Sequence, residues 1–245
     1  MPHSLVSPFM GEFMGTMVLI LLGNGVVANV LLKKSKGEGA GWMVIATGWG
    51  LAVMAGVFTA IACGSEGHLN PAVSLAAAIV SGDYGKLVWY TAAQLAGAFT
   101  GACLVWLHYL PHWRATPEAD LKFACFGTSP AIRRPLANLV SEIIGTFVLV
   151  LVAGAIFSKA VAASGPVAGL GPWLVGSLVW AIGLGLGGTT GYAINPARDL
   201  GPRIAHAILP IANKGTSDWA YAPIPIFGPF LGGTLAAMVV RIAGF

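Results

Sequence analysis

Two copies of the tripeptide Asn-Pro-Ala carry the most visible chemistry of this sequence. Asparagine is among the best N-cap residues and proline suits the first helical position, so each copy predicts the start of a helix. The side-chain carbonyl of such an asparagine caps the backbone, which leaves its amide free to donate to a passing solute. Each helix start also carries a partial positive charge, which repels cations and protons. The residues are Asn70, Pro71 and Ala72 in the first copy and Asn195, Pro196 and Ala197 in the second.

A glycine-rich run precedes each copy, over residues 64–69 and 187–194. Non-helical backbone at membrane depth is tolerated only where it is buried in protein or lines a water-filled path. We therefore expect a ladder of carbonyl groups along one wall of a narrow tube, which suits a small uncharged solute moving in single file. The residues expected to supply this pore-lining backbone are Glu66, Gly67, His68, Thr190, Gly191 and Ala193.

The elements that position these triplets must lie in lipid. Of the 245 residues, 56% are hydrophobic and only 9% are charged, and the mean hydropathy is +0.80. A soluble domain carries about 25% charged residues, so the composition excludes a cytosolic globular enzyme, and it also excludes a disordered chain. The net charge of +4 comes without a dense basic tract that would indicate nucleic acid. The three cysteines have no metal-ligand spacing, and no cofactor, metal site or catalytic set is predicted.

Six segments are long and apolar enough to cross a bilayer as helices. Two shorter apolar segments, 70–80 and 195–209, begin at the triplets and are too short to cross. The first long segment exceeds the apolar core of a signal peptide, and no small-residue cleavage site follows it. The six predicted spans are residues 7–32, 40–62, 84–109, 135–158, 170–188 and 222–243.

The chain contains an internal repeat. A Glu-x-x-Gly-Thr motif begins at Glu12 and again at Glu142, and a Gly-x-Phe-x-Gly motif begins at Gly97 and again at Gly228. With the two triplets these make three motif pairs, which follow the same order in both halves and lie nearly the same number of residues apart. Each half holds three spans, so the second half must enter the membrane from the opposite side, and the shared site is expected near the midplane. The prediction is one all-α channel domain over residues 1–245, with half 1 over 5–110, a connecting loop over 111–134 and half 2 over 135–243.

With these motifs the chain resembles the major intrinsic protein family of water and glycerol channels. Asp199 and Arg203, which follow the second triplet, are similar to the glycerol-facilitator branch. The resemblance implies six transmembrane helices and two half-helices, a homotetramer with one pore per subunit, a plasma (inner) membrane location and cytoplasmic termini. With cytoplasmic termini, most lysines and arginines would lie outside the cell. The positive-inside rule therefore favours the opposite orientation.

The resemblance also implies a four-residue constriction, here called the selectivity filter. One of the four residues is Trp49 in the second span, and a shifted register there would place Gly48 or Gly50 in the constriction instead. Water-selective relatives have histidine where this chain has glycine, so the glycine leaves room for a carbon skeleton, while the arginine donates hydrogen bonds to hydroxyl groups. This chemistry predicts passive passage of glycerol and similar small neutral solutes, with water permeability and proton exclusion. The four filter residues are Trp49, Gly183, Tyr192 and Arg198.

Buried polar residues are expected to support the two loops. A buried carboxylate persists when it is paired or hydrogen-bonded, so we interpret Glu12 and Glu142 as structural braces. His68 is interpreted as a loop anchor, with gating by protonation as the alternative. Glu66 either tunes solute entry or pairs with a basic residue. The predicted structural supports are Glu12, Glu142, Gln94 and Asp199.

Three other functions stay open. The pore could serve mainly water, hydrogen peroxide or protonated lactic acid. A proton-coupled small-solute carrier would use Glu12 and Glu142, since ionisable residues inside a membrane suggest function by default. A junctional membrane protein with a closed pore would pass no solute at all. The measurements that separate these functions are solute flux in vesicles and its response to a pH gradient.

Overall fold

The computed structural model describes residues 7–161 and 163–244, and all regular structure in that part of the chain is helical. In chain order the helices are α1 (Pro8–Leu31), α2 (Trp42–Ala62), α3 (Pro71–Ser81), α4 (Leu87–His108), α5 (His112–Ala115), α6 (Ala119–Ala124), α7 (Pro135–Phe157), α8 (Leu170–Leu186), α9 (Pro196–Ile208) and α10 (Pro223–Ala243).

Six of these helices match the six predicted spans. Helices α1, α2, α4, α7 and α10 are long and apolar enough to cross a membrane. Helix α8 has 17 residues, which is shorter than the predicted segment 170–188 but still at the lower end of the lengths that span a bilayer. With the half-helices α3 and α9, this arrangement confirms the predicted fold class. The short helices α5 and α6 lie in the connecting loop and were not predicted.

Glycines bring the long helices into backbone contact. A Cβ atom at Gly97 of α4 would collide with the carbonyl oxygen of Phe13 in α1, and one at Gly232 of α10 would collide with the carbonyl oxygen of Ile143 in α7. Helices α2 and α8 cross through Gly176, where a Cβ would lie 2.7 Å from the Gly50 oxygen. Small residues at such crossings permit the close packing that holds membrane helices together.

The two half-helices begin at the triplets and end in different ways. Asn70 and Asn195 are the N-caps of α3 and α9, and a proline follows each at the first helical position. Helix α3 ends at Gly82, whose positive φ of 79° suits a left-handed C-cap. At the end of α9, Lys214 Nζ donates to the carbonyl oxygens of His206, Ala207 and Leu209, each over 2.7 Å. The lysine thus satisfies carbonyl groups that a helix end leaves unpaired.

Candidate functional site

The asparagines of the two triplets join the halves of the chain. Asn70 Oδ1 accepts from the Ala72 amide over 2.9 Å, and Asn195 Oδ1 accepts from the amides of Ala197 and Arg198 over 3.0 and 3.1 Å. Asn70 Nδ2 donates to the carbonyl oxygen of Ile194, and Asn195 Nδ2 donates to that of Leu69, each over 2.8 Å. An asparagine amide has two N–H bonds. One N–H of each asparagine is therefore left to donate elsewhere.

The two carbonyl groups that accept these asparagine hydrogen bonds belong to residues with an unusual backbone conformation. Leu69 has φ of 55° and Ile194 has φ of 42°, a left-handed region that is costly for branched side chains. Both are held in place by a buried carboxylate: the Leu69 amide donates to Glu12 Oε2 over 2.7 Å and the Ile194 amide to Glu142 Oε2 over 2.8 Å. The strain therefore lies where two fixed hydrogen bonds, one on each side of the residue, maintain it.

The two glutamates make several further bonds to the loops. Glu12 also accepts from the His68 amide over 2.9 Å, from Gln94 Nε2 over 2.7 Å and from the Ser65 hydroxyl. Glu142 also accepts from the Ala193 amide over 3.0 Å and from Thr190 Oγ1 over 2.6 Å. Both side chains are fully shielded from solvent. Each carboxylate thus acts as an acceptor that fixes the course of one loop.

A cavity of about 580 Å³ runs between the two halves. Four of the six residues predicted to supply pore-lining backbone border it. Thr190 and Gly191 do not border this cavity in the described part of the chain. The Thr190 side chain turns away to its bond with Glu142, and Gly191 lies against Thr128. The four bordering residues are Glu66, Gly67, His68 and Ala193, and both asparagines border the cavity too.

Three of the four predicted filter residues lie together on the cavity wall, namely Trp49, Tyr192 and Arg198. The Arg198 guanidinium carbon lies 4.1 Å from the Trp49 ring centroid, within the range of a cation–π contact. The alternative registers do not face the cavity, because Gly48 packs against Val26 and Gly50 against Trp180. Arg198 Nη1 and Tyr192 Oη are buried, and neither has a hydrogen-bond partner among the described residues.

Gly183 does not border the cavity, in contrast to its predicted place in the ring. The phenol of Tyr192 covers it, and a Cβ at Gly183 would lie 2.8 Å from both Cζ and Oη of that side chain. Glycine at this position therefore makes room for the tyrosine ring first and for solute only indirectly. Trp42 completes the cradle, since its Nε1 donates to the Gly183 oxygen over 3.0 Å and its ring lies edge-on to Tyr192 at 5.8 Å. Sequence reasoning missed Trp42, which is far from these residues along the chain.

A buried ion pair supports the second half-helix. Arg203 Nε lies 2.6 Å from Asp199 Oδ1, and both side chains are completely buried. The other oxygen of Asp199 accepts from the amide and hydroxyl of Thr128, each over 2.7 Å. Arg203 Nη1 donates to the Ser217 oxygen over 2.8 Å. Through this pair, helix α9, which carries Arg198, is bonded both to the connecting loop and to the segment that follows α9.

A second polar group lies where the first loop meets solvent. Lys86 Nζ lies 2.6 Å from Glu66 Oε1, and His68 Nε2 lies 3.6 Å from Glu66 Oε2. His68 Nδ1 is 3.1 Å from Ser74 Oγ, and Ser74 Oγ accepts from Gln94 Nε2 over 3.0 Å. Of the two interpretations offered for Glu66, the structure shows the pairing with a basic residue. The bond to Glu66 raises the pKa of Lys86, which therefore stays charged well above neutral pH.

Comparison with known proteins assigns the chain to a family. A family model described as "Major intrinsic protein" matches residues 3–240. The chain belongs to the major intrinsic protein family. This membership confirms the predicted family and identifies the chain as a multi-pass membrane channel protein rather than an enzyme.

Three relatives of this major intrinsic protein are informative. Glycerol uptake facilitator protein 3 of Lactiplantibacillus plantarum is 56% identical over 99% of each chain. A probable glycerol uptake facilitator protein of Thermotoga maritima is 54% identical, over 95% of this chain and 97% of that one. The X-ray structure of the aquaglyceroporin from Plasmodium falciparum superposes with a TM-score of 0.85 at 32% identity, over 97% of this chain and 96% of that one.

Proposed function

We propose that the chain forms a passive channel for glycerol and similar small neutral solutes, with water permeability and proton exclusion. The observation that carries this proposal is the pairing of Arg198 with aromatic rings on one stretch of cavity wall. Arg198 borders the cavity, where its guanidinium offers hydrogen bonds to hydroxyl groups, while Trp49 and Tyr192 offer apolar contact to C–H groups. An amphipathic polyol satisfies both sides. The names of the relatives, glycerol uptake facilitators, support the same solute.

Proton exclusion follows from the centre of the pore. Two helix starts direct partial positive charge at the point where the asparagines lie, which disfavours any cation. The N–H that each asparagine keeps after its cross-link would hold a passing oxygen as an acceptor. An oxygen held in this way cannot relay a proton to its neighbour. We therefore assign Asn70 and Asn195 the role of donors at the midpoint.

The proton-coupled carrier is the weaker candidate. Its two carboxylates, Glu12 and Glu142, do not border the cavity among the described residues, and both accept several hydrogen bonds from loop donors. A transported proton would have to reach these carboxylates from the cavity, and the loop that each one holds lies between it and the cavity. We therefore assign both glutamates to loop support, together with Gln94 and Asp199.

Stopped-flow light scattering on proteoliposomes tests the proposal. Vesicles with the purified full chain should shrink and then recover rapidly after a glycerol jump, and empty vesicles of the same lipid should recover slowly. An impermeant osmolyte should cause rapid shrinkage without recovery, which reports water permeability. Shrinkage without glycerol recovery would contradict the glycerol proposal and favour a channel mainly for water.

Assembly and placement belong to the same proposal. We place the chain in the plasma membrane as a homotetramer, with both termini in the cytoplasm. In this orientation Lys86, Lys159 and Arg241 lie on the cytoplasmic side. The functional and supporting roles of Arg198 and Arg203 account for part of the excess positive charge on the other side. A chain whose three native cysteines are replaced by alanine tests the orientation in intact cells: a cysteine introduced at Gly39 should react with an impermeant reagent and one introduced at Gly82 should not, and the reverse pattern would contradict the placement.

A further inference from the structure

The cavity mouth opposite the filter carries a donor and an acceptor that do not satisfy each other. Both Glu66 and His68 border the cavity. Their facing atoms, Oε2 and Nε2, are 3.6 Å apart, which is too long for a hydrogen bond. The two re-entrant loops come from opposite sides and meet at Asn70 and Asn195, so this end of the cavity is remote from Arg198.

The contacts of the His68 ring favour the tautomer with its proton on Nε2. Gln94 Nε2 donates to Ser74 Oγ, so the serine hydroxyl is free to donate in turn to His68 Nδ1, 3.1 Å away. A neutral His68 that accepts at Nδ1 carries its hydrogen on Nε2. The ring is held further by an edge-on contact with Tyr90 at 5.3 Å. The Nε2–H group is thus a fixed donor directed toward Glu66.

The carboxylate of Glu66 is positioned by Lys86. The lysine occupies Oε1 over 2.6 Å, which leaves Oε2 as an acceptor beside the cavity. The positive charge of Lys86 balances the negative charge of Glu66, so the pair adds little net charge to the cavity mouth. Both side chains are about half exposed, at 52% and 53%, which places the pair at the boundary with water.

We infer that Glu66 and His68 form a binding station for solutes with two hydroxyl groups on adjacent carbons, with Lys86 as its positioning residue. The inference rests on the proposed function, because it names a second point of solute selection in the same pore. His68 Nε2–H donates to one solute oxygen, and Glu66 Oε2 accepts the hydrogen of the neighbouring hydroxyl. A solute whose hydroxyls are on separated carbons cannot bridge the two groups in the same way.

Two isomeric diols provide the test, because 1,2-propanediol and 1,3-propanediol share a formula and differ in hydroxyl spacing. Their permeabilities are measured in proteoliposomes of the full chain, at low solute concentration, together with water permeability. The wild-type channel should prefer 1,2-propanediol. In Glu66→Ala the ratio of the two permeabilities should fall about three- to tenfold, which corresponds to the loss of a partly exposed hydrogen bond to a charged group. Water permeability of the same vesicles is measured to show that the variant pore is open.

Matched variants separate the station from a general charge effect. Glu38 is another exposed carboxylate paired with a lysine, Lys33, at 3.2 Å, and it does not border the cavity. Glu38→Ala should leave the diol ratio unchanged. Lys86→Met should lower the ratio, and Lys86→Arg should restore it because arginine can hold the same carboxylate oxygen.

The outcomes discriminate between the inference and the function on which it rests. A wild-type channel that conducts glycerol but treats the two diols alike would overturn the inference alone, as would an unchanged ratio in Glu66→Ala. Equal losses in Glu66→Ala and Glu38→Ala would do the same, because they would indicate a general effect of surface charge. A wild-type channel that conducts neither glycerol nor either diol would overturn the proposed function, and the inference with it.

Discussion

The phenol ring of Tyr192 covers Gly183, so closely that a Cβ on the glycine would lie 2.8 Å from the tyrosine hydroxyl oxygen. The backbone of Gly183 is held in turn by the indole of Trp42. The width of the pore at this level therefore depends on where the tyrosine ring rests rather than on the empty space left by the glycine. Any side chain at position 183 must move the ring.

Substitution of Gly183 is expected to narrow the pore through Tyr192. In Gly183→Ala and Gly183→His the displaced ring has the cavity as its open side, so glycerol permeability should fall roughly tenfold or more, and water permeability much less. Stopped-flow light scattering measures both. Gly185→Ala is the matched control, since nothing lies within 4 Å of a Cβ there on the same helix. Equal losses of glycerol and water flux would contradict this account of the filter.

Removal of the Arg198 side chain should relax solute selection. Its guanidinium lies over Trp49, and the residue borders the cavity, so the group can reach solute there. Arg198→Ala should raise the permeability of a larger polyol such as erythritol, relative to glycerol, by roughly several-fold, and should admit some cations. Fluorescence of a cation indicator trapped in the vesicles reports cation entry, and polyol-driven swelling reports polyol permeability. Selectivity identical to that of the wild-type chain would rule out this role for Arg198.

Flux should not depend on a proton gradient. Glu12 and Glu142 are buried, accept hydrogen bonds from loop donors and do not border the cavity among the described residues, so neither is placed to exchange a proton with the solute path. Glycerol permeability should be equal, within error, with and without a transmembrane pH difference and in the presence of an uncoupler. Glu142→Gln should lower thermal stability in detergent, because the new NH₂ group would face either the Ala193 amide or the Ile194 amide, according to the oxygen it replaces, and would leave that buried donor unpaired at about 1–3 kcal/mol. A flux that follows the proton gradient would reinstate the carrier.

Local chemistry made the architecture predictable, and long-range packing limited what the sequence could say of the filter. An asparagine followed by proline favours a helix start, and its recurrence in an internal repeat after a glycine-rich run made α3 and α9 visible without any tertiary information. The orientation of Trp49 depends on how Gly48 and Gly50 pack against other helices, and the cover over Gly183 depends on Trp42, 141 residues away. The pairing of Glu66 with Lys86 depends on the path of the chain after α3, which brings the start of α4 next to the loop before α3. The short helices α5 and α6 have too few residues to be stable on their own, which is why the connecting loop gave no helical signal.

The buried pair of Asp199 and Arg203 should contribute far more to stability than its exposed counterpart. Asp199→Asn leaves the completely buried Arg203 without its charge partner and weakens the bonds to Thr128, so unfolding should become easier by about 3–5 kcal/mol. Arg133 forms an exposed pair with Asp218, and Arg133→Gln should cost at most about 1 kcal/mol. Thermal denaturation of both variants in the same detergent compares them directly. Because Asp199 follows Arg198 in α9, Asp199→Asn should also lower glycerol flux in the protein that remains folded, and a stable Asp199→Asn with unaltered flux would show that the pair does not position the filter.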